Sequence, residues 1–120
     1  MQRRRFQRRQ RLHLQRDFRR ILRRRCVASD DRLVVYVDSN GLDWTRLGIR
    51  ASARLGPAVV RNRLRRLMRE AFRLGQDRLP AGLDVLCTLR AADRPVLRDY
   101  IDRLPKLVRA AAAKLPRRKP

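Results

Sequence analysis

Apolar residues near the start of the chain recur with the period of a helix. Phe18, Ile21 and Leu22 stand at i, i+3 and i+4, a spacing that is typical of the apolar face of an amphipathic helix. We therefore predict a first helix over residues 15–24. Residues 1–11 show no such period, and their many arginines predict a basic flexible arm.

The next segment has the character of strands. The β-branched run 33–37 predicts a strand, and the Asn-Gly pair at 40–41 is typical of a hairpin turn. We expect the chain to return in a strand over 45–52, and residues 26–29 are a candidate for a further short strand. The returning strand has an apolar face with Leu47, Ile49 and Ala51 and a polar face with Arg46, Gly48, Arg50 and Ser52.

The second half of the chain predicts a helix, a strand and a helix. A Gly-Pro pair opens the strongest helical pattern, over 57–75. A buried strand is predicted over 83–89. A last helix follows over 94–114, which Asp93 would cap and Pro105 would kink or split. The apolar stripe of this helix consists of Val96, Leu97, Tyr100, Ile101, Leu104, Leu107 and Val108.

These elements predict an α+β fold in which helices pack on a small, mainly antiparallel sheet, in the order α-β-β-(β)-α-β-α. A chain of 120 residues with 43% hydrophobic residues supports one core. We expect a single domain over 12–114, between the arm of 1–11 and a basic tail of 115–120. No apolar run approaches the roughly 18 residues that a membrane span needs.

The helix predicted over 57–75 divides its residues into two arcs at about 100° per residue. The apolar arc consists of Val60, Leu64, Leu67, Met68, Ala71, Phe72 and Leu74. The polar arc consists of Asn62, Arg63, Arg65, Arg66, Arg69, Glu70 and Arg73, with Arg61 at the border. Arginines four residues apart cost roughly a few tenths of a kcal/mol per pair in a free helix, and a phosphate ligand would reverse that penalty. The alternatives are a solvated charged face and a membrane-surface helix.

The charge of the chain is strongly positive and unevenly distributed. The formal net charge is +22, and 30 of the 33 basic residues are arginine. Residues 1–25 hold 12 arginines and one acid, residues 44–73 hold nine and one, and residues 76–104 balance five with five. Such a charge destabilises a compact fold unless a polyanion neutralises it, and arginine engages phosphate through paired hydrogen bonds. Its concentration into patches favours a nucleic acid as the partner.

Residues that ordinarily carry metal or acid–base chemistry are few and scattered. Cys26 and Cys87 form no CxxC pair and His13 is the only histidine, so we expect no metal site and no catalytic side chain. Such isolated cysteines, one of them in an apolar run, fit a reducing, cytoplasmic location. Residues 1–25 lack the apolar block of a secretory signal. They also lack the serines of a mitochondrial transit peptide, which stays the alternative reading of this segment.

Several segments resemble one known family. Residues 55–73 read LGPAVVRNRLRRLMREAFR, which resembles the signature of the bacterial ribonuclease P protein family, where a Gly, a small residue and AV precede Arg-Asn-Arg. The segments RL…DF (11–18), LGI (47–49) and LPAGLD (79–84) are similar to the other motifs of that family. The resemblance covers about residues 11–110, in the order of elements that the family has.

The resemblance implies a ribosomal-protein-like fold with a left-handed β-α-β crossover, and a ribonucleoprotein that removes the 5′ leader of precursor tRNA. The RNA subunit would be the catalyst and would bind Mg²⁺, while the protein alone would bind no cofactor. Together with the basic pattern, it assigns the docking on ribonuclease P RNA to Arg11, Arg54, Arg61, Asn62, Arg63, Arg65, Arg66, Arg69 and Arg73. The leader would lie against Phe18, Leu22, Tyr36, Arg50 and Ser52.

Two positions depart from the family pattern, and two other functions share the charge. Leu22 replaces an aromatic residue and Ala53 replaces a lysine, so the strength of the grip on the leader does not follow from the resemblance. Phe18 and Tyr36 would stack on unpaired bases, or they would serve as core residues.

A non-catalytic ribosomal or RNA-chaperone protein would bind RNA without a role in leader cleavage, and a DNA-binding architectural protein would bind duplex DNA as tightly as structured RNA. We expect no protein partner.

Overall fold

The computed structural model describes residues 6–116, in which four strands form one sheet with helices on both faces. The helices are α1 (Gln15–Arg24), α2 (Ala58–Leu74), α3 (Arg98–Ile101) and α4 (Arg103–Ala112). The strands are β1 (Cys26–Ser29), β2 (Leu33–Ser39), β3 (Arg46–Arg50) and β4 (Leu83–Leu89). Short 3₁₀ turns lie at Arg8–Gln10, Ala53–Leu55 and Gln76–Arg78. The α+β class is therefore confirmed, and the candidate strand over 26–29 is present.

The sheet has the order β1-β2-β4-β3. β1 pairs with β2 and β2 pairs with β4 in antiparallel fashion, whereas β3 pairs with β4 in parallel. The prediction of a mainly antiparallel sheet is confirmed. β3, α2 and β4 form the β-α-β unit that the resemblance implies. The left-handedness of its crossover connection stays a prediction.

The prediction of a hairpin between β2 and β3 is wrong, because β4 lies between these two strands and they do not pair with each other. The Asn-Gly pair does turn the chain, since Gly41 has a left-handed φ of 72°, but the turn leads across the end of β4. Nδ2 of Asn40 fastens this crossing by donating to the carbonyl oxygens of Trp44 at 3.1 Å and Leu83 at 2.9 Å. The long register between β2 and β4 is a tertiary pairing that no local turn signal specifies.

Alternate residues of the strands contribute to two apolar clusters. Val85 and Cys87 belong to the main core, with α2, α3 and α4. Leu86 belongs to a smaller cluster with Ile21 of α1 and with Leu12, which precedes α1. Because successive residues of a strand point to opposite faces, α1 and α2 lie on opposite faces of the sheet. Cys87 is fully buried and burial raises its pKa to about 12, so it acts as a small apolar residue.

α2 confirms the helix predicted over 57–75, with Pro57 as its N-cap residue. The middle of its predicted apolar arc is buried in the core, as Leu64, Met68, Ala71 and Phe72 show. The two ends of the arc differ from the prediction, because Val60 is 37% exposed and Leu74 is 43% exposed. Only the central turns of α2 therefore face the sheet.

The last helical region begins later than predicted. Arg94 has a left-handed φ of 47°, and Pro95 disfavours a helical conformation for the residue before it. Asp93 therefore caps no helix, and helical structure starts at Arg98. Val96, predicted in the apolar stripe, is 50% exposed because it precedes the helix.

The split predicted at Pro105 is confirmed, because α3 and α4 are separate helices. Pro105 lies in the first turn of α4 and has no N–H to donate to the Ile101 carbonyl four residues earlier. Nη2 of Arg78 donates to that carbonyl oxygen instead, at 2.9 Å. The arginine thus satisfies the acceptor that the proline leaves open.

Residues 6–11, which the sequence analysis assigned to the flexible arm, pack against the domain. The rings of Phe6 and Phe72 meet edge to face, 5.4 Å apart, and Arg11 bridges to Leu47 of β3. Nε1 of Trp44 donates to the carbonyl oxygen of Arg9 at 3.1 Å, and the Arg9 guanidinium lies 4.6 Å from the indole centre. The other predicted arm residues, 1–5, and tail residues 117–120 lie outside the described part of the chain.

Candidate nucleic-acid interface

One face of α2 is buried in the core, and the opposite, polar face therefore presents a set of arginines to solvent. The set consists of Arg61, Arg63, Arg65, Arg66, Arg69 and Arg73, with Asn62 beside them. Among residues 6–116, no member except Arg73 is joined to a carboxylate. Arg63 donates to the carbonyl oxygen of Pro95 at 3.3 Å, and Arg65 donates to the amide oxygen of Asn62 at 3.4 Å. In the described part of the chain, five of these six arginines therefore form no ion pair with an acidic residue.

Arg73 differs from the rest of the set. Its guanidinium forms an ion pair with Glu70 one turn earlier, and Nε donates to Oε2 at 3.0 Å. The hydrogen bond from Arg73 lowers the pKa of Glu70, and the same bond raises the pKa of Arg73. This pair offsets one positive charge at the C-terminal end of the face.

A cleft of about 460 Å³ lies beside edge strand β3, between the start of α1 and α2. Arg11, Arg65 and Arg69 line it, and Phe18 and Ile49 form part of its apolar wall. Burial lowers the pKa of Arg69, and the positive charges of Arg11 and Arg65 lower it further. The cleft thus favours an anion. It also joins residues from both predicted sets, the RNA-docking set and the leader set.

Phe18, Leu22 and Tyr36 lie together on the α1 side of the sheet. Each is half-buried against the smaller apolar cluster, so each combines a packing role with an accessible surface. Gly48 makes room for this arrangement, because a Cβ atom there would lie 2.9 Å from Cε1 of Phe18. The structure therefore brings these three predicted leader residues into one group.

The remaining predicted residues lie further along the chain and are exposed. Arg50 ends β3, two residues beyond Gly48 on the same face. Ser52 precedes the 3₁₀ turn that contains Arg54. These three positions line the path from the sheet to α2 and stay outside the half-buried group.

An ionic cluster that the sequence analysis missed joins α1 to the sheet. The buried carboxylate of Asp84 accepts hydrogen bonds from Nε and Nη2 of Arg46, each at 2.7 Å, and from Nδ2 of Asn40 at 3.1 Å. Arg20 of α1 pairs with Asp84 and donates from Nη1 to Asp38 at 2.6 Å. Arg46, predicted on the polar face of the returning strand, is thus paired with a buried carboxylate. The available signal was an aspartate within an otherwise apolar buried strand.

The described residues offer little to metal or acid–base chemistry. Over residues 6–116, no three or more His, Cys, Asp or Glu side chains are grouped so that they would hold a metal ion. His13 is exposed and lies at the cleft beside β3. None of the helices in this range is both long and apolar enough to cross a membrane.

Comparison with known proteins decides the family. The sequence profile of the family described as Ribonuclease P matches residues 6–112. The chain belongs to the ribonuclease P protein family. The ribonuclease P protein component of Thermotoga petrophila is 41% identical over 81 residues, which cover 68% of this chain and 69% of that protein. The same component of Clostridioides difficile is 34% identical over 88 residues, covering 72% of this chain and 77% of that protein.

Solved structures of the family have the same fold. The RNase P protein from Thermotoga maritima aligns with a TM-score of 0.75 at 32% identity, covering 82% of this chain and 94% of that one. The Staphylococcus aureus RNase P protein aligns with a TM-score of 0.74 at 29% identity, covering 88% of this chain and 95% of that one. Family membership implies that the chain is the protein component of an endoribonuclease and that its partner is ribonuclease P RNA.

Proposed function

We propose that the chain binds ribonuclease P RNA through the polar face of α2 and the 5′ leader of precursor tRNA through the α1 side of the sheet. In this way it promotes the endonucleolytic maturation of the tRNA 5′ end. The observation that carries the proposal is the arginine face of α2, on which Glu70 is the single acid and five arginines have no carboxylate partner in the described chain, in the segment that resembles the family signature.

The α2 face suits the phosphate backbone of a folded RNA. Guanidinium groups bind phosphate through strong, paired hydrogen bonds, and neighbouring arginines at i and i+4 repel each other until a phosphate lies between them. Arg65 and Arg69 are such a pair, and they also line the cationic cleft. RNA binding would therefore relieve a repulsion that the free protein carries.

The α1 side of the sheet suits unpaired nucleotides. Phe18 and Tyr36 are half-buried, which leaves part of each ring accessible while packing fixes its position. Stacking of a base on such a ring contributes about 1–3 kcal/mol without sequence preference. The cationic cleft at Phe18 would receive the backbone of the same strand.

The proposal leaves the chemistry of cleavage to the RNA subunit. The Mg²⁺ ions of the holoenzyme would be bound through that RNA, and the protein side chains would bind neither a cofactor nor the reacting atoms. The protein would contribute binding and charge neutralisation in the cytoplasm. Its arginines would lower the Mg²⁺ concentration that the RNA needs, because they screen the same phosphates.

The test is reconstitution with the cognate ribonuclease P RNA at low Mg²⁺. We expect the protein to stimulate cleavage of a precursor tRNA at its mature 5′ end, and we expect a variant with Arg65→Ala and Arg69→Ala to stimulate it less. Stimulation that is absent at every protein concentration would reject the proposal.

The cleavage assay tests the first alternative, and a comparison of binding affinities tests the second. A ribosomal or RNA-chaperone protein would bind the RNA but would leave the cleavage rate unchanged. A DNA-binding architectural protein would bind duplex DNA and structured RNA with equal affinity when the salt concentration is held fixed. We expect the structured RNA to bind more tightly.

A further inference from the structure

A short segment before α1 packs along the edge of the sheet. We call residues 6–12 the strap, and its 3₁₀ turn spans Arg8–Gln10. The N–H of Arg11 extends this turn by donating to the carbonyl oxygen of Arg8 at 3.1 Å. The N–H of Leu12 donates to the carbonyl oxygen of Leu47 at 2.9 Å, so the end of the strap pairs with edge strand β3.

The period of the 3₁₀ turn sends its arginines in different directions. Such a turn has three residues per revolution, so side chains three positions apart lie on the same side. Arg8 and Arg11 are three positions apart, and both line the cleft beside β3. Gln10 faces inward and is 8% exposed, whereas the guanidinium of Arg9 lies over the ring of Trp44. One turn thus supplies two arginines to the cleft and uses a third as an anchor.

The arginines of the strap meet like charges in the cleft. Arg8 and Arg11 line it together with Arg65 and Arg69 of α2, and none of the described residues in its lining is acidic. Burial lowers the pKa of Arg69, and the positive charge of Arg11 lowers it further. The strap and α2 therefore repel each other unless an anion lies between them, and other contacts have to hold the strap in place.

Two aromatic contacts oppose this repulsion. The ring of Phe6 meets the buried ring of Phe72 edge to face and holds the start of the strap against the core. Trp44 holds the turn itself, because Nε1 donates to the carbonyl oxygen of Arg9 at 3.1 Å while the indole ring faces the guanidinium of the same residue at 4.6 Å. Trp44 therefore fixes the direction in which the neighbours of Arg9 point.

We propose that Trp44 is a positioning residue for the 5′ leader of precursor tRNA, because it anchors the strap through Arg9 and so holds Arg8 and Arg11 where they bind leader phosphates. The inference rests on the proposed function, which gives the cleft at Phe18 to the backbone of the leader. A cleft of about 460 Å³ lies within the range of roughly 300–1,000 Å³ for small-molecule sites. It therefore admits one or two nucleotides of a single strand and excludes a duplex.

The first experiment is a double-mutant cycle between Trp44 and the two strap arginines. Trp44→Leu removes the aromatic anchor, and Arg8→Gln with Arg11→Gln removes the charges that it positions. We measure the binding of precursor and mature tRNA to the complex of each variant with ribonuclease P RNA. Trp44→Leu alone should weaken the binding of precursor tRNA about fivefold or more and leave that of mature tRNA unchanged. In the background of the two glutamines it should cost nothing further.

The cycle distinguishes a positioning role from a structural one. Loss of one or two phosphate contacts to a single strand should lower the slope of log affinity against log salt by about 0.7–1.4 in the Trp44→Leu variant. An equal loss of precursor affinity in both backgrounds would overturn the proposal, because Trp44 would then act without Arg8 and Arg11. Weaker binding of ribonuclease P RNA itself, or of mature tRNA, would overturn the assignment to the leader.

Further variants keep the test decisive if Trp44→Leu fails to fold. Trp44→Phe retains an aromatic face for Arg9 and should retain most of the affinity for precursor tRNA. Arg9→Gln, at an exposed position, should weaken that affinity as the loss of the ring does. Arg90→Gln is the control of equal charge, since Arg90 is exposed and does not line the cleft. Equal affinities for Arg9→Gln and Arg90→Gln would contradict the anchor.

The second experiment uses Trp44, the only tryptophan of the chain, as a fluorescent reporter of the strap. We expect precursor tRNA to reduce the quenching of Trp44 by acrylamide in the natural complex, because leader phosphates remove the repulsion and hold the strap on the ring. Mature tRNA should have no such effect, and an equal response to both tRNAs would contradict the proposal.

Failure of the proposed function gives a different result. A natural complex that binds precursor and mature tRNA equally well would refute leader binding itself. A natural complex that prefers precursor tRNA, with the same preference in the Trp44→Leu variant, would refute only the role of Trp44.

Discussion

Arg46 and Asp84 face each other across the parallel pair of β3 and β4, joined by two hydrogen bonds of 2.7 Å. The side chain of Asp84 is fully buried, and it also pairs with Arg20 of α1. This carboxylate therefore links three elements of the fold, β4, β3 and α1. It fixes the position of α1 over the sheet, and with it the group of Phe18, Leu22 and Tyr36.

We predict that Asp84→Asn destabilises the protein strongly. The substitution leaves Arg20 and Arg46 without their buried counter-charge, and breaking a buried ion pair costs about 3–5 kcal/mol. Because the side chains of Arg20 and Arg46 are 38% and 26% exposed, we expect the lower end, about 3 kcal/mol. Urea denaturation would measure the free energy of unfolding. Asp43→Asn, at an exposed position, is the control and should change it little, and an equal loss in both variants would contradict the prediction.

The same carboxylate should make stability sensitive to acid. Burial alone would raise the pKa of Asp84, but hydrogen bonds from Arg46, Asn40 and Arg20 outweigh it and hold the pKa below its usual value. A carboxyl whose folded pKa is lowered stabilises the fold above its unfolded pKa, near 3.9. That contribution is lost as the pH falls through the folded pKa. Unfolding free energies measured from about pH 5 downward should therefore fall more steeply for the natural chain than for Asp84→Asn, and parallel curves would refute this.

The parts of the fold that follow from local periodicity could be predicted from the sequence. α1 has the predicted bounds because the apolar spacing of a helix is a property of neighbouring residues. The arginine-rich face of α2, with Glu70 as its one acid, followed from the same helical spacing. The pairing of β2 with β4 joins segments far apart in the chain, and the Asn40–Gly41 turn gave a local signal for a different pairing.

The ionic cluster was hidden for a related reason. Arg20 and Asp84 are 64 positions apart, and nothing near Arg20 distinguishes it from Arg19, which is exposed. Helix phase placed Arg20 beside Asp17, but only the strand order places Asp84 beneath it. The division of α1 into paired and free arginines therefore required the tertiary structure.

We predict that Gly48→Ala disturbs the predicted leader site. The added Cβ atom would lie 2.9 Å from Cε1 of Phe18 and 3.0 Å from the carbonyl oxygen of Leu12, so the start of α1 must shift. Overpacking of this kind costs about 1–3 kcal/mol. Thermal or urea unfolding would measure the loss. Adding Phe18→Leu removes one of the two clashes and should recover part of the stability; losses that simply add would show that Phe18 and Gly48 do not interact.

Removal of Arg65 and Arg69 should weaken RNA binding and leave the fold intact. Both lie on the polar face of α2 without a carboxylate partner among residues 6–116. We expect Arg65→Ala with Arg69→Ala to lower the slope of log affinity against log salt by about 1.4–1.8, the value for two lost phosphate contacts. The melting temperature should hardly change, because the substitutions remove a repulsion and only one exposed hydrogen bond, from Arg65 to Asn62. Arg90→Ala with Arg98→Ala is the control of equal charge, and an equal loss of affinity in it would indicate a net-charge effect only.

The last prediction separates a leader-binding role of Phe18 and Tyr36 from a purely structural one. Replacing both by leucine keeps apolar volume against Leu86 and Ile21 but removes the aromatic faces. We expect the reconstituted complex to lose about tenfold or more in affinity for precursor tRNA per lost stack. Affinity for mature tRNA, which has no leader, should stay the same, because the lost contact is to the leader alone. Equal losses for both tRNAs, together with a lower melting temperature, would identify the two rings as core residues whose removal displaces α1.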